Sequence, residues 1–108
     1  ITLDGAVSVF GKETLREDGH CTFSPTGNWV LNDTYPDHYD MRSLMIVQWP
    51  KGKRIDIARL YSPKSLWWGE IRCDLHPRWS RDGRQVCIDS VHDGTRQMYV
   101  IDVGHITE

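Results

Sequence analysis

Short stretches in which apolar and polar residues alternate make up most of the chain, and turn-forming residues separate them. Alternation with a period of two residues is typical of strands that bury one face. Glycine-bearing turns at 25–28, 81–84 and 92–95 connect consecutive stretches as hairpin turns do. No convincing helical periodicity runs along the chain, so the predicted fold is all-β. Strands are predicted at residues 6–10, 21–24, 29–34, 43–48, 54–60, 77–80, 85–90 and 97–103.

The sequence also repeats itself. Residues 20–30 match residues 76–86 at an offset of 56, and both copies keep a His, an aromatic residue, a Ser, a Gly and a Val. Residues 42–48 match residues 96–102 at an offset of 54, so the first copy carries two extra loop residues. A repeat of about 40 to 50 residues with four antiparallel strands is typical of a β-propeller blade.

The predicted organisation is therefore two four-stranded antiparallel β-propeller blades, about eight strands in all. The chain begins at Ile1 without a secretion signal, so we expect a fragment of a larger propeller. Residues 1–19 are assigned to a strand of the preceding blade and a linker, 20–60 to the first blade, 61–75 to a connecting loop, and 76–108 to an incomplete second blade.

Composition narrows the classes of function. The 108 residues are 39% hydrophobic and 26% charged, which suits a globular protein, and there is no apolar run long enough for a membrane span. With 13 Lys and Arg against 15 Asp and Glu, the charge argues against a nucleic-acid partner. The 3 cysteines have no paired spacing, so they indicate neither a disulfide framework nor a zinc site.

The connecting loop is the densest candidate for ligand binding. Aromatic faces stack on sugars, and arginine can grip a carboxylate with two hydrogen bonds. Both features also serve protein partners, so the predicted ligand is an oligosaccharide or a protein. An alternative interpretation is structural: the two tryptophans fill space between blades and Arg72 pairs with a neighbouring carboxylate. The predicted ligand-binding residues are Trp67, Trp68, Glu70, Arg72 and Asp74.

Charged residues recur at matched positions of the two copies. His20 and His76 should lie at equivalent heights on adjacent blades, where two imidazoles can share a metal ion or an anionic ligand. Alternatively, each His opens its strand through a structural hydrogen bond. Arg42 and Asp33 have counterparts in the second copy, Arg96 and Asp89, which favours an ion pair or polar ladder within each blade.

The second copy, His-Pro-Arg-Trp-Ser-Arg-Asp-Gly-Arg-Gln-Val at 76–86 followed by Gly-Thr-Arg-Gln-Met-Tyr-Val-Ile-Asp at 94–102, resembles the TolB-type or WD40-like (PD40) propeller repeat. Phe-Ser-Pro-Thr-Gly at 23–27 repeats its core. The resemblance covers most of the chain and implies a periplasmic or exported protein.

The His-Pro opening is similar to that of the oligogalacturonate lyase branch of these propellers. This resemblance implies β-elimination across pectin-derived oligosaccharides, assisted by manganese, with His76 and Arg72 as the catalytic pair. His20, His76 and Asp74 are then the candidate metal ligands. Asp74 stands where the lyases have a second His, and Ile71 stands where they have a Gln, so the lyase metal site is not reproduced in full.

Three functions follow from this sequence, and whether the protein is an enzyme stays open. The favoured function is a channel or rim surface that binds a carbohydrate, uronate-containing ones included, or a protein partner. The enzymatic alternative is a metal-assisted polysaccharide lyase. The third is a structural element that forms homo-oligomers, because blades with exposed strand edges invite pairing with other chains.

Overall fold

The computed structural model describes residues 3–69 and 71–107, and Glu70 lies outside the described residues. Its two antiparallel sheets follow chain order, so the all-β prediction is confirmed. The first sheet contains β1 (Cys21–Phe23), β2 (Trp29–Asp33), β3 (Met41–Gln48) and β4 (Arg54–Tyr61). The second sheet contains β5 (Arg78–Trp79), β6 (Gln85–Ser90) and β7 (Gln97–Asp102). A 3-10 turn at Lys64–Leu66 and a short helix, α1 (Gly104–Thr107), complete the described elements.

The repeated Ser and Gly residues build the same turn in both sheets. The amide of Gly27 donates to the carbonyl of Ser24 at 2.9 Å, and the amide of Gly83 donates to the carbonyl of Ser80 at 3.0 Å. Both glycines have positive φ, which a residue without Cβ adopts at little cost. Each Ser hydroxyl also accepts a hydrogen bond from the first amide of the next strand. The repeat therefore reflects one hairpin used twice.

The two sheets share one hydrophobic core. The indole Nε1 of Trp79 donates to the carbonyl of Thr22 at 3.2 Å and so links β5 of the second sheet to β1 of the first. Burial of the apolar side chains in this core makes the largest favourable contribution to the free energy that holds the two sheets together. The buried core residues are Trp29, Leu31, Leu44, Ile46, Leu75, Val86, Ile88 and Val103.

The segment that connects the two sheets, residues 62–77, is called the connecting segment and is anchored in this core. Leu75 and Cys73 are buried, and the carbonyl of Leu75 accepts a hydrogen bond from the amide of Asp89 at 2.8 Å. Asp74 lies between these two anchors and is itself buried. The segment is therefore held to the second sheet through Leu75 and to the first sheet through Asp74, whose carboxylate faces Arg42 of β3.

One of the predicted strands does not form. Residues 6–10 form no strand, because alternation creates a strand only where a partner edge is present. Phe10 instead packs its ring on Trp49, with a centroid distance of 4.5 Å. The second sheet has three strands in the described residues, as predicted for the incomplete second blade, so the total is seven rather than eight. No helix in the described part of the chain is long and apolar enough to cross a membrane.

Candidate functional site

An ion cluster lies where the connecting segment meets the first sheet. Arg72 binds Asp74 with two contacts, Nε to Oδ1 at 3.0 Å and Nη2 to Oδ2 at 2.9 Å. On the other side, Nη1 of Arg42 lies 2.8 Å from Oδ1 of the same carboxylate. One carboxylate thus separates two guanidinium groups, and the cluster carries one net positive charge.

Arg42 is the most deeply buried member of the cluster. Only 2% of its surface is exposed, and its Nε donates to the hydroxyl of Ser62 at 3.1 Å. Its Nη1 contacts Asp74 as an ion pair without hydrogen-bond geometry. A buried charge is tolerated only where it is paired, so Arg42 depends on Asp74.

The charge state of Asp74 follows from its surroundings. Burial disfavours the carboxylate and acts to raise its pKa, but the hydrogen bond from Arg72 and the charges of Arg42 and Arg72 outweigh burial and lower the pKa of Asp74 below its usual value. The hydrogen bond with Asp74 and its charge raise the pKa of Arg72. The cluster therefore stays ionised at neutral pH.

Aromatic side chains surround the two arginines and form an open pocket of about 360 Å³. The indole Nε1 of Trp67 donates to the carbonyl of Ser62 at 2.7 Å, which fixes that ring, whereas Trp68 is 74% exposed. The guanidinium carbon of Arg72 lies 5.3 Å from the ring centre of Tyr35, within cation–π range. The pocket is lined by Tyr35, Pro36, Arg42, Trp67, Trp68 and Arg72.

A histidine held by a buried carboxylate adjoins this pocket. Nδ1 of His20 lies 3.1 and 3.2 Å from the two oxygens of Asp33, and the His20 amide donates to Oδ1 of Asp33 at 2.6 Å. Asp33 is fully buried, while the imidazole is about one-third exposed. The ring also meets Tyr35 edge-on at a centroid distance of 5.8 Å. With Nδ1 directed at Asp33, Nε2 is the nitrogen left to meet a ligand.

His76 lies beside His20, as the repeat predicts. The two ring centroids are 5.1 Å apart; His20 immediately precedes β1, and His76 lies two residues before β5. His76 is exposed and has a φ of 42°, an unusual conformation for a residue other than glycine. Its carbonyl accepts a hydrogen bond from Arg78 at 2.8 Å, which helps to hold this conformation.

The proposed catalytic pair is connected through other residues. His76 contacts His20, His20 contacts Tyr35, and Tyr35 contacts Arg72. His76 and Arg72 are thus linked by a series of contacts through the rings of His20 and Tyr35. Their catalytic roles stay a prediction.

The three candidate metal ligands differ in the donor atoms that they leave free. Both oxygens of Asp74 are bonded to Arg72, so Asp74 has no free oxygen for a cation in this arrangement. Across residues 3–69 and 71–107, no three His, Cys, Asp or Glu side chains form a group that could hold a metal ion. His20 and His76 remain as a pair of imidazoles, and a metal ion at that pair stays a prediction.

Three residues at this site were not predicted from the sequence as ligand-binding. Tyr35 and Arg42 line the pocket, and Asp33 orients His20. The expected pairing of Arg42 with Asp33 within the first blade does not form, because Arg42 pairs with Asp74 of the connecting segment. In the second sheet, Asp89 pairs with Arg78 at 3.2 Å. Of the predicted ligand-binding residues, Glu70 lies outside the described part of the chain.

Comparison with known proteins gives no further assignment. No protein-family model matches the sequence, and no significant match to a curated protein is found. The resemblance to TolB-type repeats and the assignment of the two sheets as propeller blades therefore stay predictions.

Proposed function

We propose that the pocket between the connecting segment and the first sheet binds a carbohydrate that carries a carboxylate, such as a uronate. The observation that supports this most strongly is the combination of aromatic walls with the two arginines paired to Asp74. In this proposal, the sheets are blades of an exported propeller and the pocket lies on its rim or channel.

The pocket suits such a ligand for two reasons. The exposed face of Trp68 and the fixed ring of Trp67 offer stacking surfaces for the apolar face of a sugar ring. The single net positive charge of the Arg42, Asp74 and Arg72 cluster attracts one anionic group. A neutral sugar would use only the stacking surfaces, so the charge predicts a preference for acidic saccharides.

The test is a calorimetric titration with an oligogalacturonate and with a neutral galactose oligomer of the same length. We expect tighter binding of the acidic oligomer, and a loss of about tenfold in affinity for Trp68→Ala, equivalent to about 1.4 kcal/mol. Trp68→Phe keeps an aromatic face and should retain most of the affinity. Tyr61→Ala is a matched control, because Tyr61 is exposed but lies outside this pocket.

Two results would contradict the proposal. If neither saccharide binds at millimolar concentration, the pocket is not a carbohydrate site and the protein partner becomes the better interpretation. If both oligomers bind equally well, the arginines do not select the ligand. Equal losses for Trp68→Ala and Tyr61→Ala would show that the binding lies elsewhere.

A second candidate function is a uronate lyase, and the contact of His20 with Asp33 favours it. A carboxylate that fixes one imidazole nitrogen leaves the other oriented to accept a proton, which is the arrangement of a general base. The ligand's carboxylate would lie at Arg72, and Tyr35 connects that end of the pocket to His20. His20 thereby joins His76 as a possible base.

Elimination creates an unsaturated sugar that absorbs in the ultraviolet. The lyase proposal predicts a rise in absorbance when the protein is mixed with oligogalacturonate, and a loss of this rise in His20→Gln. Binding without any rise in absorbance would overturn the lyase proposal and leave the binding function intact.

A further inference from the structure

The second sheet ends in a strand edge that has no partner in the described part of the chain. β7 pairs with β6 along six residue pairs on one side only. Met98 and Val100, on one face of β7, are 66% and 61% exposed. In the first sheet, the corresponding strand β3 is covered by β4. After β7 the chain instead turns into α1, where the Thr107 hydroxyl donates to the carbonyl of Gly83.

A strand-forming segment without a partner lies elsewhere in the same chain. Residues 6–10 read Ala-Val-Ser-Val-Phe, which has the alternation and β-branched residues of a strand. Val7 and Val9 are largely exposed, and among the described residues no backbone hydrogen bond reaches residues 7–10. The ring of Phe10 packs on Trp49 and fixes one end of the segment to the first sheet.

We propose that residues 6–10 of one copy of the chain add to the free edge of β7 in a second copy, as its fourth strand. Exposed edges pair readily with extended segments, because main-chain hydrogen bonds supply the affinity. The segment of five residues matches the six residues of β7 in length, and Val7 and Val9 would extend the apolar face of Met98 and Val100.

The partner is a second copy because the chain carries both complementary elements, and neither has a strand partner among residues 3–69 and 71–107. Such a contact joins two different surfaces, so each copy can bind one neighbour at its strand segment and another at its strand edge. Association therefore continues into rings or open chains, and its extent depends on concentration. This inference does not depend on the carbohydrate proposal, since the pocket residues take no part in it.

Light scattering after size-exclusion chromatography, over a range of protein concentrations, tests the proposal. We expect the mass of the wild type to rise with concentration. Ser8→Pro combined with Val9→Pro removes two successive amides, one of which must face β7 in either register, and this double variant should give a monomer, whereas Ser8→Thr should associate like the wild type. Ser8 and Val9 are exposed and make no backbone hydrogen bond in the described chain, so neither variant disturbs the folded sheets.

Hydrogen exchange then locates the contact. In the associated protein, amides within residues 6–10 and within β7 should exchange more slowly than in the double proline variant. A wild type that stays monomeric at every concentration would overturn the proposal. So would association that the double proline variant retains, or association in which residues 6–10 exchange as fast as in the monomer.

Discussion

At the scale of single residues, Asp74 determines whether Arg42 can remain buried. Removing one partner of a buried ion pair leaves the other charge without compensation. We predict that Asp74→Asn lowers the free energy of unfolding by about 3 kcal/mol, as measured by urea denaturation. The matched control is Asp56→Asn, which breaks an exposed pair with Arg54 and should cost less than about 1 kcal/mol. Equal losses in the two variants would show that Arg42 does not depend on Asp74.

The same carboxylate should make stability depend on pH. Burial opposes its charge, but its arginine partners hold the pKa of Asp74 below the usual value. Its stabilising contribution is therefore complete above the unfolded pKa and is lost as the pH falls through the lower, folded pKa. We predict that the difference in unfolding free energy between wild type and Asp74→Asn shrinks as the pH falls below about 4. A constant difference down to pH 2 would contradict this assignment.

Residue partners were the least predictable part of the site. The proximity of His20 and His76 could be predicted, because the repeat places both just before the first strand of their copies, β1 and β5. The pairing of Arg42 with Asp74 could not, since it joins a repeated strand to the connecting segment, which has no counterpart in the repeat. A repeat predicts only the contacts that both copies make, whereas this cluster involves a segment that is not repeated.

At the scale of elements, the seven strands were predicted to within about two residues at each end, because turn chemistry is local. Ser and Gly form the hairpin turns at 24–27 and 80–83 through local hydrogen bonds, which do not depend on the rest of the fold. Residues 6–10 were predicted wrongly for the complementary reason. Their alternation favours a strand. A strand also needs an edge to pair with, and whether such an edge is present depends on the whole fold.

The entry to β1 depends on a close backbone approach. A Cβ added to Gly19 would collide with the backbone carbonyl of Asp33. We predict that Gly19→Ala costs about 3 kcal/mol of stability, as for overpacking of a tight site, and displaces His20 from Asp33. Gly27→Ala is the control: its positive φ carries strain of about 1 kcal/mol, but its Cβ would meet nothing within 4 Å. Thermal unfolding of both variants gives the comparison, and equal losses would refute the close approach.

At the scale of the whole molecule, the shared core makes the two sheets one cooperative unit. Buried residues from both sheets form a single cluster, and the connecting segment adds Leu75 to it. A cavity in one sheet should therefore weaken the other. We predict that Ile88→Ala, in β6, lowers the unfolding free energy by about 3 kcal/mol. The slowest-exchanging amides of β3, in the other sheet, should lose protection by the same amount.

Val100→Ala is the matched control for this cooperativity. Val100 lies on β7 of the same sheet but is exposed, so its truncation should change stability by less than about 0.5 kcal/mol and leave β3 unaffected. If Ile88→Ala weakens β6 while β3 keeps its full protection, the sheets unfold independently. The pocket would then rest on the first sheet and the connecting segment alone, because its lining residues all come from there. Cooperative loss would instead make the ligand site sensitive to the packing of both sheets.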